Sequence, residues 1–86
     1  MAQAGDIGQL LLYIALRHRP KAADAAEGLA RTAEIAGHPI DPQQFRDAIA
    51  KLLADGLIYD PVHLEPGHLQ CYWQLEVTPA GAEAAA

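Results

Sequence analysis

The chain has 86 residues and one cysteine, Cys71. No internal disulfide can form, and a reducing compartment is the natural expectation. Serine is missing, so Thr32 and Thr78 carry the only aliphatic hydroxyls. There is no Gly-rich phosphate loop, no nucleophile–base motif and no HExxH, and without them an enzyme is not expected. No cofactor is implied. The longest apolar run, Leu10 to Leu16, is far too short to span a bilayer. The opening MAQAGD lacks a basic leader. A soluble, cytoplasmic protein with no membrane partner is expected. From Leu52 onward there is no Lys or Arg, whereas Asp55, Asp60, Glu65, Glu76 and Glu83 are acidic.

The length fits a single domain over 1–86. A domain of this size buries only about 60–65% of its unfolded surface, so it gains from oligomerisation. Hydrophobic residues make up 51%, but alanine supplies much of that, and alanine favours helices while filling cores poorly. The net charge of −5 opposes generic binding to a polyanion. Its distribution does not: all six basic residues lie between positions 17 and 51. One half of the chain could face a polyanion that the other half would repel.

Ile40 to Ile58 carries the marks of one helix from start to stop. Asp41 is a good N-cap, and Pro42 suits the first helical position. Gln44 completes a capping-box spacing, with Ile40 and Phe45 at the staple positions. Phe45, Ala48, Ile49, Leu52 and Leu53 form one apolar stripe. Gly56 supplies a left-handed stop, with Leu57 placed to touch Leu52.

The rest of the chain is arranged around this helix. Residues 1–5 are expected to fray. Asp6 can cap a first helix running to about His18, with Ile7, Leu10, Leu11 and Ile14 as its core stripe. Leu12, Tyr13 and Leu16 lie roughly opposite, so the helix is apolar nearly all round. Such a helix is buried on two sides, and the second burial is expected against another copy of the chain. RHRPK at 17–21 is a basic turn. A second helix is expected over 21–36, with a capping-box spacing at Asp24 and Glu27 and a stop at Gly37. Gly28 lowers its intrinsic stability by up to ~1 kcal/mol relative to Ala.

Beyond the central helix the period changes from helical to alternating. A strand is expected from Leu57 to about Leu64, with Pro61 confining it to an edge or a bulge. Glu65-Pro66-Gly67-His68 reads as a turn. Leu69, Cys71, Trp73, Leu75 and Val77 then alternate with polar neighbours in a second strand, with Trp73 in the core. Thr78 and Pro79 open a short last helix that is expected to fray.

The order helix, helix, helix, hairpin, short helix resembles the winged helix-turn-helix family of bacterial transcription regulators. KLLADGLI at 51–58 and YWQLEVTPAG at 72–81 look like the helix-exit and wing-exit segments of PadR-like and MarR-like repressors. The resemblance covers roughly residues 7–82. It implies an α+β, mainly helical winged helix whose third helix enters a DNA major groove. It also implies a homodimer on pseudo-palindromic double-stranded DNA. Two features depart from it: the wing tip EPGH has no Arg or Lys, and the long C-terminal dimerisation helix of the PadR type is missing.

On this reading Gln43 or Gln44 would contact adenine, Lys51 a phosphate, and Arg46 the edge of the surface. Asp47 sits in the centre of that face and would repel phosphates; the face is equally readable as a solvated one. Arg17, Arg19, Lys21 and Arg31 surround the start and body of the second helix and could touch the DNA backbone. They could also be a solvated basic turn neutralised by Asp24, Glu27 and Glu34. Leu12, Tyr13 and Leu16 are the expected dimer interface. His63, His68 and Cys71 do not match a zinc spacing, so no metal is expected. A different class of function, a winged-helix module that docks a protein partner through its acidic hairpin or first helix, fits the same pattern.

Overall fold

A computed structural model describes residues 6–64 and 71–85, apart from the Asp6 side chain. The expected fraying of residues 1–5, the Asp6 cap, the turn from Glu65 to His68 and the first residues of the second strand, Leu69 and Gln70, lie outside the described residues. In chain order the elements are α1 (Asp6–Arg17), β1 (Lys21–Ala22), α2 (Ala25–Ala36), α3 (Pro42–Ala54), β2 (Val62–Leu64), β3 (Cys71–Gln74) and α4 (Pro79–Ala85). The protein is α+β and mainly helical. Among the described residues its strands form one antiparallel sheet in the order β1-β3-β2. None of these helices is long and apolar enough to cross a membrane.

Local chemistry sets the helix ends. Asp24 caps α2 by accepting from the Glu27 N–H at 2.9 Å, while Glu27 Oε1 accepts from the Ala23 N–H at 2.8 Å. Gly37 ends α2 in the left-handed region at φ 84°, with its N–H on the carbonyls of Ala33 and Glu34. Asp41 caps α3 by accepting from the Gln44 N–H at 3.0 Å, and Pro42 follows it. At the other end, Gly56 (φ 74°) donates to Leu53 O at 3.1 Å and Leu57 to Leu52 O at 2.9 Å. These two bonds make the Schellman pattern and satisfy carbonyls the helix would otherwise leave open.

The second helix starts later than expected. Lys21 and Ala22 form β1 instead, opposite Gln74 and Trp73. Pro20 is buried, and its carbonyl accepts from the Leu75 N–H at 3.0 Å. Pairing with a strand some fifty residues away outweighs the local preference of these residues.

The hairpin keeps one register throughout. Val62, His63 and Leu64 face Trp73, Tyr72 and Cys71, and an isolated bridge joins Ile58 to Val77 in the same register. Pro61 interrupts the ladder. Its carbonyl accepts from the Gln74 N–H at 2.8 Å, but proline has no N–H to return the bond. The sheet survives because β2 is an edge strand.

Trp73, only 3% exposed, belongs to the core cluster with Leu11, Phe45, Leu52, Ile58 and Leu75. Its ring centroid is 5.9 Å from that of Phe45. It also lies against Gly28: a methyl there would come within 2.6 Å of Trp73 Cδ2. The glycine inside α2 is therefore the seat of the indole. Thr32, fully buried one turn on, donates its hydroxyl to Gly28 O at 2.7 Å. Cys71 is exposed, not inward as its alternation with Trp73 suggests. Its cross-strand partner Leu64 is exposed as well, so this face of the sheet is uncovered at the distal end of the hairpin.

Helix α4, expected to fray, makes hydrogen bonds to other elements near both ends. Thr78 Oγ1 accepts from the Gly81 N–H at 3.1 Å and donates to Gly56 O at 2.7 Å, tying the start of α4 to the end of α3. Gly81 lies so close to the Leu57 carbonyl that a side chain there would overlap it. Near the far end, Gln9 Nε2 of α1 donates to Ala84 O at 3.2 Å.

Gly28→Ala separates helix propensity from packing. Propensity alone predicts a gain of up to ~1 kcal/mol. Displacement of the Trp73 ring predicts a loss of about 1–3 kcal/mol. Urea unfolding should show the loss, and a stabilised variant would refute the packing account.

Candidate functional site

The outward row of α3 carries Gln43, Gln44, Arg46, Asp47 and Lys51, all exposed. The double cap holds the row in place, and its core stripe of Phe45, Ala48 and Leu52 is buried beneath it. Two side-chain hydrogen bonds run along the row. Arg46 Nη2 donates to Gln43 Oε1 at 3.1 Å, and Gln43 Nε2 donates to Asp47 Oδ1 at 2.9 Å. Both ends of the Gln43 amide are thus engaged, whereas the Gln44 side chain makes no hydrogen bond among the described residues. Of the two glutamines, Gln44 can meet a ligand without first breaking a bond. Lys51 Nζ lies 3.5 Å from Asp55 Oδ2, an exposed i,i+4 pair that contributes at most a few tenths of a kcal/mol.

The second group of cations lies where α1 ends. Arg17 is stacked over the Tyr13 ring, 5.2 Å from its centroid. Arg19 has φ 45°, the one non-glycine with positive φ among the described residues. The N–H groups of His18 and Arg19 both donate to Ile14 O, at 2.7 and 3.2 Å. Arg19 therefore ends α1 as a glycine would, and the left-handed backbone costs roughly 1–2 kcal/mol in a residue with a Cβ. Lys21 Nζ lies 4.6 Å from the Tyr72 ring centroid. Tyr72 in turn stacks on His63 at 5.0 Å and 15°, so Lys21, Tyr72 and His63 form a row across all three strands.

Among the described residues there are two ion pairs: Lys51–Asp55, and Arg31–Glu27 at 3.9 Å. Arg17, Arg19, Lys21 and Arg46 have no carboxylate partner there. In a protein with a net charge of −5, two-thirds of the cations have no carboxylate partner among the described residues.

The expected dimer surface needs correction. Leu12 is 3% exposed and belongs to the core of its own chain. The reason is that α1 packs against α2, α3 and α4 together. The second side of this all-round apolar helix is thus largely covered within one molecule. Tyr13 and Leu16 are still outward, 47% and 37% exposed.

His63 and Cys71 belong to neighbouring strands one register position apart, so they point to opposite faces of the sheet. His68 lies outside the described residues. One feature was missed from sequence: a groove of about 470 Å³ between the start of α1, one side of α3 and the end of α4. Ile7, Leu12 and Leu52 line it below, and Gln44, Asp47 and Lys51 line it along α3. The small residues Gly8 and Ala48 leave this space open, and they were its only trace in the sequence.

No family model matches the chain, and neither does any curated protein or solved structure.

Leu12 and Leu16 should respond differently to truncation. Leu12→Ala removes a core contact and should cost about 2–4 kcal/mol in urea unfolding. Leu16→Ala should cost well under half of that, both variants being measured at a dilution where the chain is monomeric. Equal losses would contradict the orientation of α1.

Proposed function

We propose that this chain is a winged-helix DNA-binding module acting in transcription regulation, with α3 as the helix that enters the major groove. The reading rests on the element order helix, strand, helix, helix, hairpin, and on the capped α3 with its polar outer row. The observation that carries it is the set of cations with no carboxylate partner among the described residues. Arg17, Arg19 and Lys21 lie within five residues of one turn, and Arg46 is on α3. Such groups gain most from a phosphate backbone, which releases counterions when they bind. Arg17, Arg19, Lys21 and Arg31 supply backbone contacts; Gln44 and Arg46 supply base contacts. Gln43 orients Arg46 and holds Asp47. Two copies would pair through Tyr13 and Leu16, matching a two-fold operator. The module works by binding, not by catalysis, and in the cytoplasm.

A second reading has its own support. Val62 and Leu64 on edge strand β2 are 58% and 64% exposed, in the half of the chain without Lys or Arg. An apolar edge of this kind suits a protein partner.

Binding to random duplex DNA, followed by fluorescence anisotropy over a salt series, decides between the two. The DNA reading expects affinity to fall steeply with salt. Replacing Arg17, Arg19 and Lys21 together by Ala should flatten the log–log slope by about 0.9 per lost phosphate contact. Gln44→Ala should cost roughly 1–3 kcal/mol at a cognate site and little elsewhere. Absence of binding at ~50 mM salt, where weak electrostatic association is still visible, would overturn the reading. Sensitivity would then be expected at Val62 and Leu64.

A further inference from the structure

The groove between α1, α3 and α4 includes none of the residues of the turn at 17–21, but Gln44, assigned above to base contact, lines it. Its volume of about 470 Å³ falls within the range of small-molecule sites. Its floor is apolar: Ile7, Leu12, Ala48, Leu52 and Leu57. Its polar groups are the amides of Gln9 and Gln44, the carboxylates of Asp47 and Asp55, and the ammonium of Lys51. Lys51 is paired with Asp55 at 3.5 Å. Asp47 accepts one hydrogen bond from the neutral Gln43 amide and has no cationic partner among the described residues. The groove thus joins an apolar floor to one uncompensated negative charge, in a chain whose net charge is −5.

We propose that this groove binds a hydrophobic organic monocation, with apolar substituents on Ile7, Leu12 and Leu52 and the positive centre near Asp47. Apolar area supplies the attraction, and the carboxylate selects the sign of the charge. A neutral ligand of the same shape would leave Asp47 partly desolvated with only the neutral Gln43 amide as partner, and an anion would also be repelled. The proposal does not depend on DNA binding, and its test uses no DNA, so the two can fail separately.

The probes are tetraphenylphosphonium and tetraphenylborate, which are nearly identical in shape and opposite in charge. Each is titrated into the full chain, with calorimetry giving affinity and amide chemical shifts giving location. The expected result is saturable one-to-one binding of the phosphonium, with shifts concentrated at Ile7, Leu12, Asp47 and Leu52. The borate should bind at least tenfold more weakly. Asp47→Asn should weaken phosphonium binding about fivefold, the scale of one partly exposed charge contact, and should narrow the gap between the two ions. Ala48→Leu should fill the groove and remove binding of both. If that variant does not fold, Asp47→Asn, at an exposed position, still decides. Equal affinity for the two ions, an unchanged affinity in Asp47→Asn, shifts centred elsewhere, or no saturation at millimolar phosphonium would each overturn the proposal.

Discussion

The seating of Trp73 on Gly28 is the contact through which the layers meet. Trp73 belongs to the central strand, faces Ala22 on one side and Val62 on the other, and packs its ring near Phe45. One residue therefore meets four elements besides its own: α2 and α3 through its ring, and β1 and β2 through strand pairing. An aromatic of this size brings more apolar area into the core than any other residue, and a domain this small has few alternatives. Gly28 lets the backbone of α2 approach the sheet closely, and its unfavourable effect on the helix is offset by the burial it permits.

Charge is balanced in residues 1–51, where six cations meet six acids, and one-signed beyond them. The cations gather at the end of α1 and on α2 and α3, while the hairpin and α4 carry only acids. The hairpin uses one of these acids structurally. Asp60 Oδ1 accepts from the Val62 N–H at 3.0 Å, which occupies a donor at the start of the edge strand and sets a negative charge beside it. Edge strands left open recruit other strands, and a charged residue at the margin discourages this. The exposed Val62 and Leu64 thus lie beside a local guard against indiscriminate pairing.

What could be read from the sequence was what is decided locally. Asp24, Asp41, Gly37 and Gly56 act within a few residues of themselves, and their roles follow from spacing alone; of Thr78, the local cap on Gly81 was legible and the bond to Gly56 O was not. The outward row of α3 was equally accessible, because helical period fixes which residues share a face. What could not be read depends on distant partners. β1 consists of two residues whose only reason to be extended is Gln74 and Trp73. Leu12 points inward because three helices surround α1. Cys71 shares a face with Trp73 and is exposed because none of the described helices covers that end of the sheet, a limit that alternation cannot express. The groove arises from the spacing of three helices and has no motif.

The pairing of β1 with β3 has a consequence for how the chain folds. Pairing Lys21 with Gln74 closes a loop that contains the whole of α2, α3 and β2, whereas α2, α3 and their caps close over short loops. Long-range pairing carries the larger loop-closure entropy and is the slower event. The indole of Trp73, the only tryptophan in the chain, lies on this seam. Its intrinsic fluorescence therefore follows closure of the sheet over α2, while helical circular dichroism follows the earlier, local part of assembly.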